Sequence, residues 1–373
     1  MRASFSTAIQ KAILVVLLMA CPTFGEPGTY QALPLSIPLA FRWGYASEIL
    51  STLQPACGGQ AVYVPLSDGT LISLSTRDGQ LGWKTDTGGS FPTPPAVSRQ
   101  SVYVLTEAFK LGDGADSESE PTLLRALSGT SGITLWARKF SQRAGEAVSV
   151  SGDQLFVTLV NEIYAIDRQG GQVRWSAKLT HTIGGVSETL GSKLYISTLG
   201  SYIYVLDQNT GKTLQRYRTR GEIAVPPVFH DDVVYLGTAD GYLCALRVSG
   251  DNLITLWRKR AGGRVQSLVD AGDGLLVTTP DNFVQFFGAQ NGKRRWKRLL
   301  PARLAEPILL AANEALFAPL GEDTCIVLSL RDGKQLNAIS LGHDNSVTAA
   351  PTLCGGRLII PTRAGLMAFA PAG

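Results

Sequence analysis

Three features of this 373-residue sequence predict an all-β fold, an eight-bladed β-propeller of four-stranded antiparallel blades. One phrase recurs along the chain, as LISLSTRDGQLGW at 71–83, IYAIDRQGGQVRW at 163–175, IYVLDQNTGKTLQ at 203–215 and VQFFGAQNGKRRW at 284–296. All six tryptophans share one register of that phrase. The final repeat lacks its last strand, and the N-terminal region supplies a strand of that type with nothing before it. Self-similarity at a period of ~40 residues is the mark of such an architecture.

Aligning on the residue four beyond the turn glycine, or its equivalent, gives positions 43, 83, 136, 175, 215, 257, 296 and 337. Trp43, Trp83, Trp136, Trp175, Trp257 and Trp296 fill six of them, and Gln215 and Asn337 fill the others. Each repeat resolves into four strands. Strand a follows a proline-containing lead such as PPAV at 94–97 or APTL at 350–353. Strand b is an alternating segment such as SVYVLT, strand c is the IYAID-type segment, and strand d carries the register residue. A glycine in the c–d turn allows the positive φ that a side chain resists. The tryptophans read as inter-blade packing with a locally satisfied N–H.

The segment VTAAPTLCGGRLIIPTRAGLMAFA supplies strands a, b and c of an eighth blade, and PLAFRWGY at 38–45 supplies its strand d. Joining them removes two open sheet edges. Cys57 and Cys354 end strand a of the first and eighth blades, each before Gly-Gly, so closure makes them neighbours. A disulfide needs Cα atoms within about 6.8 Å; two buried free thiols are the alternative.

The N-terminus reads as a leader over 1–25, followed by a linker over 26–35 and the propeller over 36–373. Arg2 and Lys11 accompany the apolar run AILVVLLMA at 12–20, too short to span a bilayer and suited to a secretory signal. Two cleavage sites compete. LMAC at 18–21 resembles a lipobox that would place a lipid on Cys21, and TFG before Glu26 suits an ordinary signal peptidase. Export is expected either way, to a periplasmic location and, with a lipid, to anchorage at the outer membrane.

The net charge of +4 falls to +2 when Arg2 and Lys11 leave with the leader, so a nucleic-acid partner is not expected. The basic clusters RYR, RKR and RRWKR at 216–218, 258–260 and 294–298 lie on outer strands of different blades, where charge discourages edge pairing. The remaining cysteines form no CxxC and the three histidines are scattered, so no metal site is expected. The acidic insertion GDGADSESEP at 112–121 does not follow a calcium-loop spacing and reads as a solvated loop between strands b and c of blade 2. Neither GxSxG nor HExxH occurs, so the chain reads as no enzyme and no cofactor is expected.

The phrases VLDQNTGKTLQ and AIDRQGGQVRW resemble the PQQ-type propeller repeat over residues 36–373. That family includes quinone-dependent alcohol and sugar dehydrogenases and the BamB-like lipoproteins of outer-membrane protein assembly. The dehydrogenases hold their quinone with an additional central tryptophan and a bound calcium, and this sequence has no tryptophan to spare. RTRGEIAVPP at 218–227 resembles the Arg-Gly-Glu-Ser-Ala-Pro phrase with which BamB-like proteins dock their barrel-assembly partner. The resemblance implies a non-enzymatic scaffold that binds a protein of the cell envelope through its loop face. It marks Arg218, Arg220 and Glu222 as partner contacts, read as a loop from blade 4 to blade 5. Arg143 and Arg264 lie in the same class of loop. The loop AGGRVQS at 261–267 departs from the family in lacking its acidic pair. A periplasmic quinoprotein or small-ligand binder using the central channel is the alternative reading.

Overall fold

The computed structural model describes residues 33–108, 122–185, 188–230, 232–249 and 252–372. The leader, Cys21 and the acidic insertion 112–121 lie outside them. The described residues form eight four-stranded antiparallel sheets. Blades 1 to 7 are consecutive meanders over residues 56–86, 96–140, 144–178, 188–223, 228–260, 267–299 and 309–340. Blade 8 takes strands a to c from 352–371 and strand d from Leu39–Ala46, which pairs with Gly365–Pro371. The ring therefore closes as expected, by hydrogen bonds between the two ends of the fold.

The core is divided among the inter-blade interfaces. Trp43, Val62, Val64, Ile72 and Ile359 pack blade 8 on blade 1, and Leu243, Trp257, Leu275 and Phe287 pack blade 5 on blade 6. Strands b and c are buried on both faces, which is why they read as nearly continuous apolar runs.

One interlock repeats at six of these interfaces. In every blade the c–d ladder shifts register just before the key position of strand d, for example at Ala165/Ile166 beside Trp175. Such a bulge re-aims the side chain that follows it, and here it turns the indole toward the next blade. The bulge residue itself points outward, so Leu135, Leu214, Leu256 and Leu336 stand exposed. Each indole N–H donates across the interface to a backbone carbonyl of the next c–d turn, at 2.8–3.2 Å. The acceptors are Thr76, Gly129, Arg168, Gln208, Ala289 and Leu330. Three residues on, the positive-φ glycine of that turn lies against the indole. A Cβ on Gly79, Gly132, Gly171, Gly211, Gly292 or Gly333 would stand within 2.7 Å of the ring.

The two exceptions have physical reasons. After Gln215, blade 5 replaces the phrase with a longer hairpin in which Ser249 pairs with Asn252, and Leu253 stands where the glycine would be. An indole would meet a side chain there. Gln215 instead accepts a hydrogen bond from the Tyr217 hydroxyl. After Asn337, the c–d turn of blade 8 is the gap between the chain's two ends. The N-terminal segment fills it. Asn337 Nδ2 donates to the carbonyls of Leu35 and Ile37, both at 2.9 Å, and Glu314 accepts the Leu35 and Ser36 amides at 2.7 and 3.0 Å. Leu33 and Leu35, read from sequence as linker, are buried in the core between blades 7 and 8.

Cys57 and Cys354 form a disulfide with Cα atoms 5.3 Å apart, joining the innermost strands of blades 1 and 8 across 297 residues of sequence. Of the two alternatives, the bond is the one present. Cys244 and Cys325 are free and buried, and burial pushes the Cys325 thiol up to about 12.

Two outcomes follow from this architecture. Trp257→Ala removes a buried ring and its hydrogen bond to the Ala289 carbonyl, which keeps the Tyr235 hydroxyl at 3.4 Å, and denaturant melts should show a loss of ~3–5 kcal/mol. Leu214→Ala, at an exposed bulge, should leave the midpoint within about 0.5 kcal/mol of wild type. Cys57→Ser should lower stability by ~2–5 kcal/mol, because the bond constrains a very long loop in the unfolded chain. Thiol counting on unfolded, unreduced mature protein should find Cys244 and Cys325 reactive and Cys57 and Cys354 unreactive.

Candidate docking face

The d–a connections and b–c turns gather on one face of the ring. Each d–a connection is zipped to the b–c turn of the blade it enters, through bridges such as Ser90–Glu107, Ile183–Thr198, Ile223–Thr238 and Leu304–Pro319. These bridges carry the backbone of the face on hydrogen bonds rather than leaving it as free loops.

Arg218, Arg220 and Glu222 do not lie in a loop. Strand d of blade 4 runs on to Ile223 as an eleven-residue strand, with Tyr202 opposite Arg218 and Gly200 opposite Ile223. The ladder jumps from the Tyr202–Arg218 pair to the Gly200–Ile223 pair, so residues 219–222, Arg220 and Glu222 among them, bulge out opposite Ser201. All three side chains are exposed. The Glu222 carbonyl accepts the Ala239 amide at 2.9 Å, and Thr219 Oγ1 donates to the Gly221 carbonyl at 3.0 Å, so the segment is held rigidly. Gly221 has a φ of 100°, and a Cβ there would stand 3.2 Å from Asp240 Oδ1.

Arg264 is exposed in the connection from blade 5 to blade 6, and Arg143 is exposed in the connection from blade 2 to blade 3. All five residues thus share a face. Among the described residues, no hydrogen bond or ion pair joins any two of them, and neither Arg218 nor Arg220 has an ion-pair partner.

The outer-strand cations are locally engaged. Arg258 pairs with Asp240 at 3.0 Å and stacks 3.3 Å from the centroid of Tyr242. Arg295 pairs with Asp273 at 2.6 Å, and Lys297 lies 3.3 Å over Phe283. These charges are distributed around the circumference. Among the described residues, no group of three or more His, Cys, Asp or Glu side chains could hold a metal ion, and no helix is long and apolar enough to cross a membrane.

A cavity of about 440 Å³, with backbone polar groups as well as apolar side chains in its walls, opens on the face of the d–a connections, lined by Pro92, Ala144, Val160, Thr182, Ile183 and Leu199. It went unread in the sequence because its walls come from three blades. Its one linear signal is at the turn tips. The b–c turns of blades 1, 5 and 6 carry Asp68, Asp240 and Asp281, whereas those of blades 3 and 4 carry Val160 and Leu199.

Glu306 was also missed. It lies in the connection from blade 6 to blade 7, where its carboxyl accepts the Thr278 hydroxyl at 3.3 Å. Water reaches the side chain, yet the surrounding protein desolvates the carboxyl and pushes it up to about 7, against the opposing effects of Thr278 and Arg303. A carboxyl whose folded value lies above its unfolded value binds more protons when folded, so stability falls as pH rises from about 4.5 to about 7. Glu306→Gln should flatten that segment of the stability profile, read as denaturant midpoints at several pH values.

A family model described as outer membrane protein assembly factor BamB matches residues 41–118, 119–254 and 227–370. The chain belongs to the BamB family. The Yersinia pestis BamB is 24% identical over 310 residues, covering 82% of this chain and 68% of the relative. The Salmonella typhimurium BamB is 24% identical over 85% of this chain and 84% of its own. The Legionella pneumophila BamB is 26% identical, and its match spans about half of each chain, 50% and 48%. A quinoprotein ethanol dehydrogenase of Pseudomonas aeruginosa is 28% identical over only 34% of this chain and 22% of its own. Among solved structures, BamB from Moraxella catarrhalis superposes with a TM-score of 0.69 at 15% identity, over 89% of this chain and 97% of that one. A quinohemoprotein alcohol dehydrogenase of Pseudomonas putida gives 0.66 at 12% identity, over 90% and 76%. These structural likenesses show the shared propeller and nothing finer.

Proposed function

We propose that this protein is an exported, non-enzymatic scaffold of outer-membrane protein assembly, which holds a protein partner on its loop face. The single observation that carries the reading is the extended strand of blade 4. It carries the family-like Arg-Gly-Glu phrase on an exposed bulge pinned at Arg218 and at Ile223, with the Arg220 guanidinium free to grip a partner carboxylate by paired hydrogen bonds. Rigidity favours binding because little conformational freedom is lost on docking.

Export has independent support. The Cys57–Cys354 disulfide suits an oxidising compartment, and the leader-like N-terminus points the same way. Within the proposal the protein is periplasmic, and a lipid on Cys21 would tether it to the outer membrane. The family's quinone chemistry gains nothing from the indoles, since each of the six is engaged at an inter-blade contact.

The test compares two charge reversals of equal net effect. Arg220→Glu should abolish recovery of the barrel-assembly partner from crosslinked envelopes while leaving the thermal melt unchanged. Arg258→Glu, on an outer strand, should leave recovery intact, though it breaks the pair with Asp240. Equal recovery by wild type and Arg220→Glu would remove the bulge from the site.

A further inference from the structure

We infer that the cavity between blades 2, 3 and 4 is a second anchoring point on the docking face, built to receive one apolar side chain of a partner segment that carries flanking carboxylates. The inference rests on the scaffold reading, and it names the chemistry of what that face holds. Three observations carry it.

The first is exposure. Val160 and Leu199 are 40% and 52% exposed. The other exposed large apolar side chains among the described residues lie on outer strands, on a c–d turn or on the N-terminal segment. Two apolar turn tips on adjacent blades, both lining one cavity, form a local exposed patch.

The second is preorganisation. The Ile183 amide donates to the Val160 carbonyl at 2.8 Å, the Leu199 amide to the Thr182 carbonyl at 2.8 Å, and the Gly184 amide to the Ser197 carbonyl at 3.0 Å. These bonds stitch the blade 3 turn, the d–a connection and the blade 4 turn into one wall. Behind it, the His181 ring stacks on Tyr202 with centroids 4.4 Å apart, and His181 Nδ1 lies 2.8 Å from the Tyr204 hydroxyl. Gly145, also in the lining, lets its backbone close on strand b of the same blade, where a Cβ would stand 2.6 Å from the Thr158 carbonyl oxygen. A cavity of about 440 Å³ is ample for a leucine or phenylalanine side chain, and a formed pocket is the usual seat of an interface anchor.

The third is charge. Arg143 immediately precedes the lining residue Ala144, and Arg218 is paired in register with Tyr202, three residues beyond Leu199. Both guanidinium groups are exposed, and neither has an ion pair among the described residues. Glu107 Oε1 accepts the Ala144 amide at 2.8 Å beside Arg143, so the rim carries two exposed cations and one engaged carboxylate, a balance that favours carboxylates flanking an apolar anchor over a basic segment.

A photo-reactive residue placed at position 199 of the full chain, activated in intact envelopes, tests the inference. Mass spectrometry of the adduct should identify a protein segment with an aliphatic or aromatic residue between acidic ones. A synthetic peptide of that segment should bind wild type and weaken at least tenfold with Leu199→Glu, with Arg218→Glu, or when its apolar residue becomes alanine. No adduct, an adduct to a lipid or small amphiphile, a basic segment, or peptide affinity unchanged by Leu199→Glu would each overturn it. If Arg220→Glu abolishes partner recovery and Leu199→Glu does not, the pocket falls and the scaffold reading stands. If neither variant affects recovery, both fall.

Discussion

The indole–glycine interlock is the contact on which the ring depends. A single blade cannot bury both apolar faces of its strands b and c alone, so each blade must be held by its neighbours. The bulge in strand d turns the indole sideways, the next blade's turn offers a carbonyl, and the glycine three residues later leaves room for the ring. Burial supplies most of the energy, and the N–H bond fixes the register of one blade against the next. One phrase therefore encodes both halves of a joint, the glycine facing backward to the preceding blade and the tryptophan facing forward. That is why glycine and tryptophan recur together at a constant spacing.

The same joint explains how much of the fold was legible. Strand order, blade count and closure follow from a repeat whose residues each have a fixed geometric task. The Gln215 and Asn337 exceptions look like tolerance when a repeat is read by itself. They become intelligible only when each residue is assigned to the blade that follows it. Leu253 occupies the glycine slot opposite Gln215, and the chain ends leave no turn opposite Asn337. The linker boundary was misplaced for the same reason. Leu33 and Leu35 do the work of an absent turn, so they pack instead of dangling. Nothing in their local sequence announces this, because the partners Glu314 and Asn337 lie some 300 residues away.

The docking face was legible in part. The residues of the Arg-Gly-Glu phrase are exposed on the expected face. Its conformation was not legible, because the bulge over 219–222 is set by the pairing of Ile223 with Gly200 on the neighbouring strand, which the phrase itself does not reveal. The cavity was harder still. Pro92, Ala144, Val160 and Leu199 come from different connections, and each is unremarkable in its own stretch of sequence. Tertiary assembly alone makes them neighbours.

Departures from the repeat therefore fall into two kinds. Some are demanded by the ring: a joint whose partner turn is missing or altered must change its register residue, as at Gln215 and Asn337. Others answer to nothing in ring geometry. The Val160 and Leu199 turn tips expose apolar side chains that their own blades do not bury, and the 219–222 bulge of blade 4 takes no part in its joint with blade 5. This second kind is concentrated on one face, around blades 3 and 4. Departures that ring geometry does not require are free to serve binding, and in this chain they gather between the blade 3 turn and the Arg-Gly-Glu bulge.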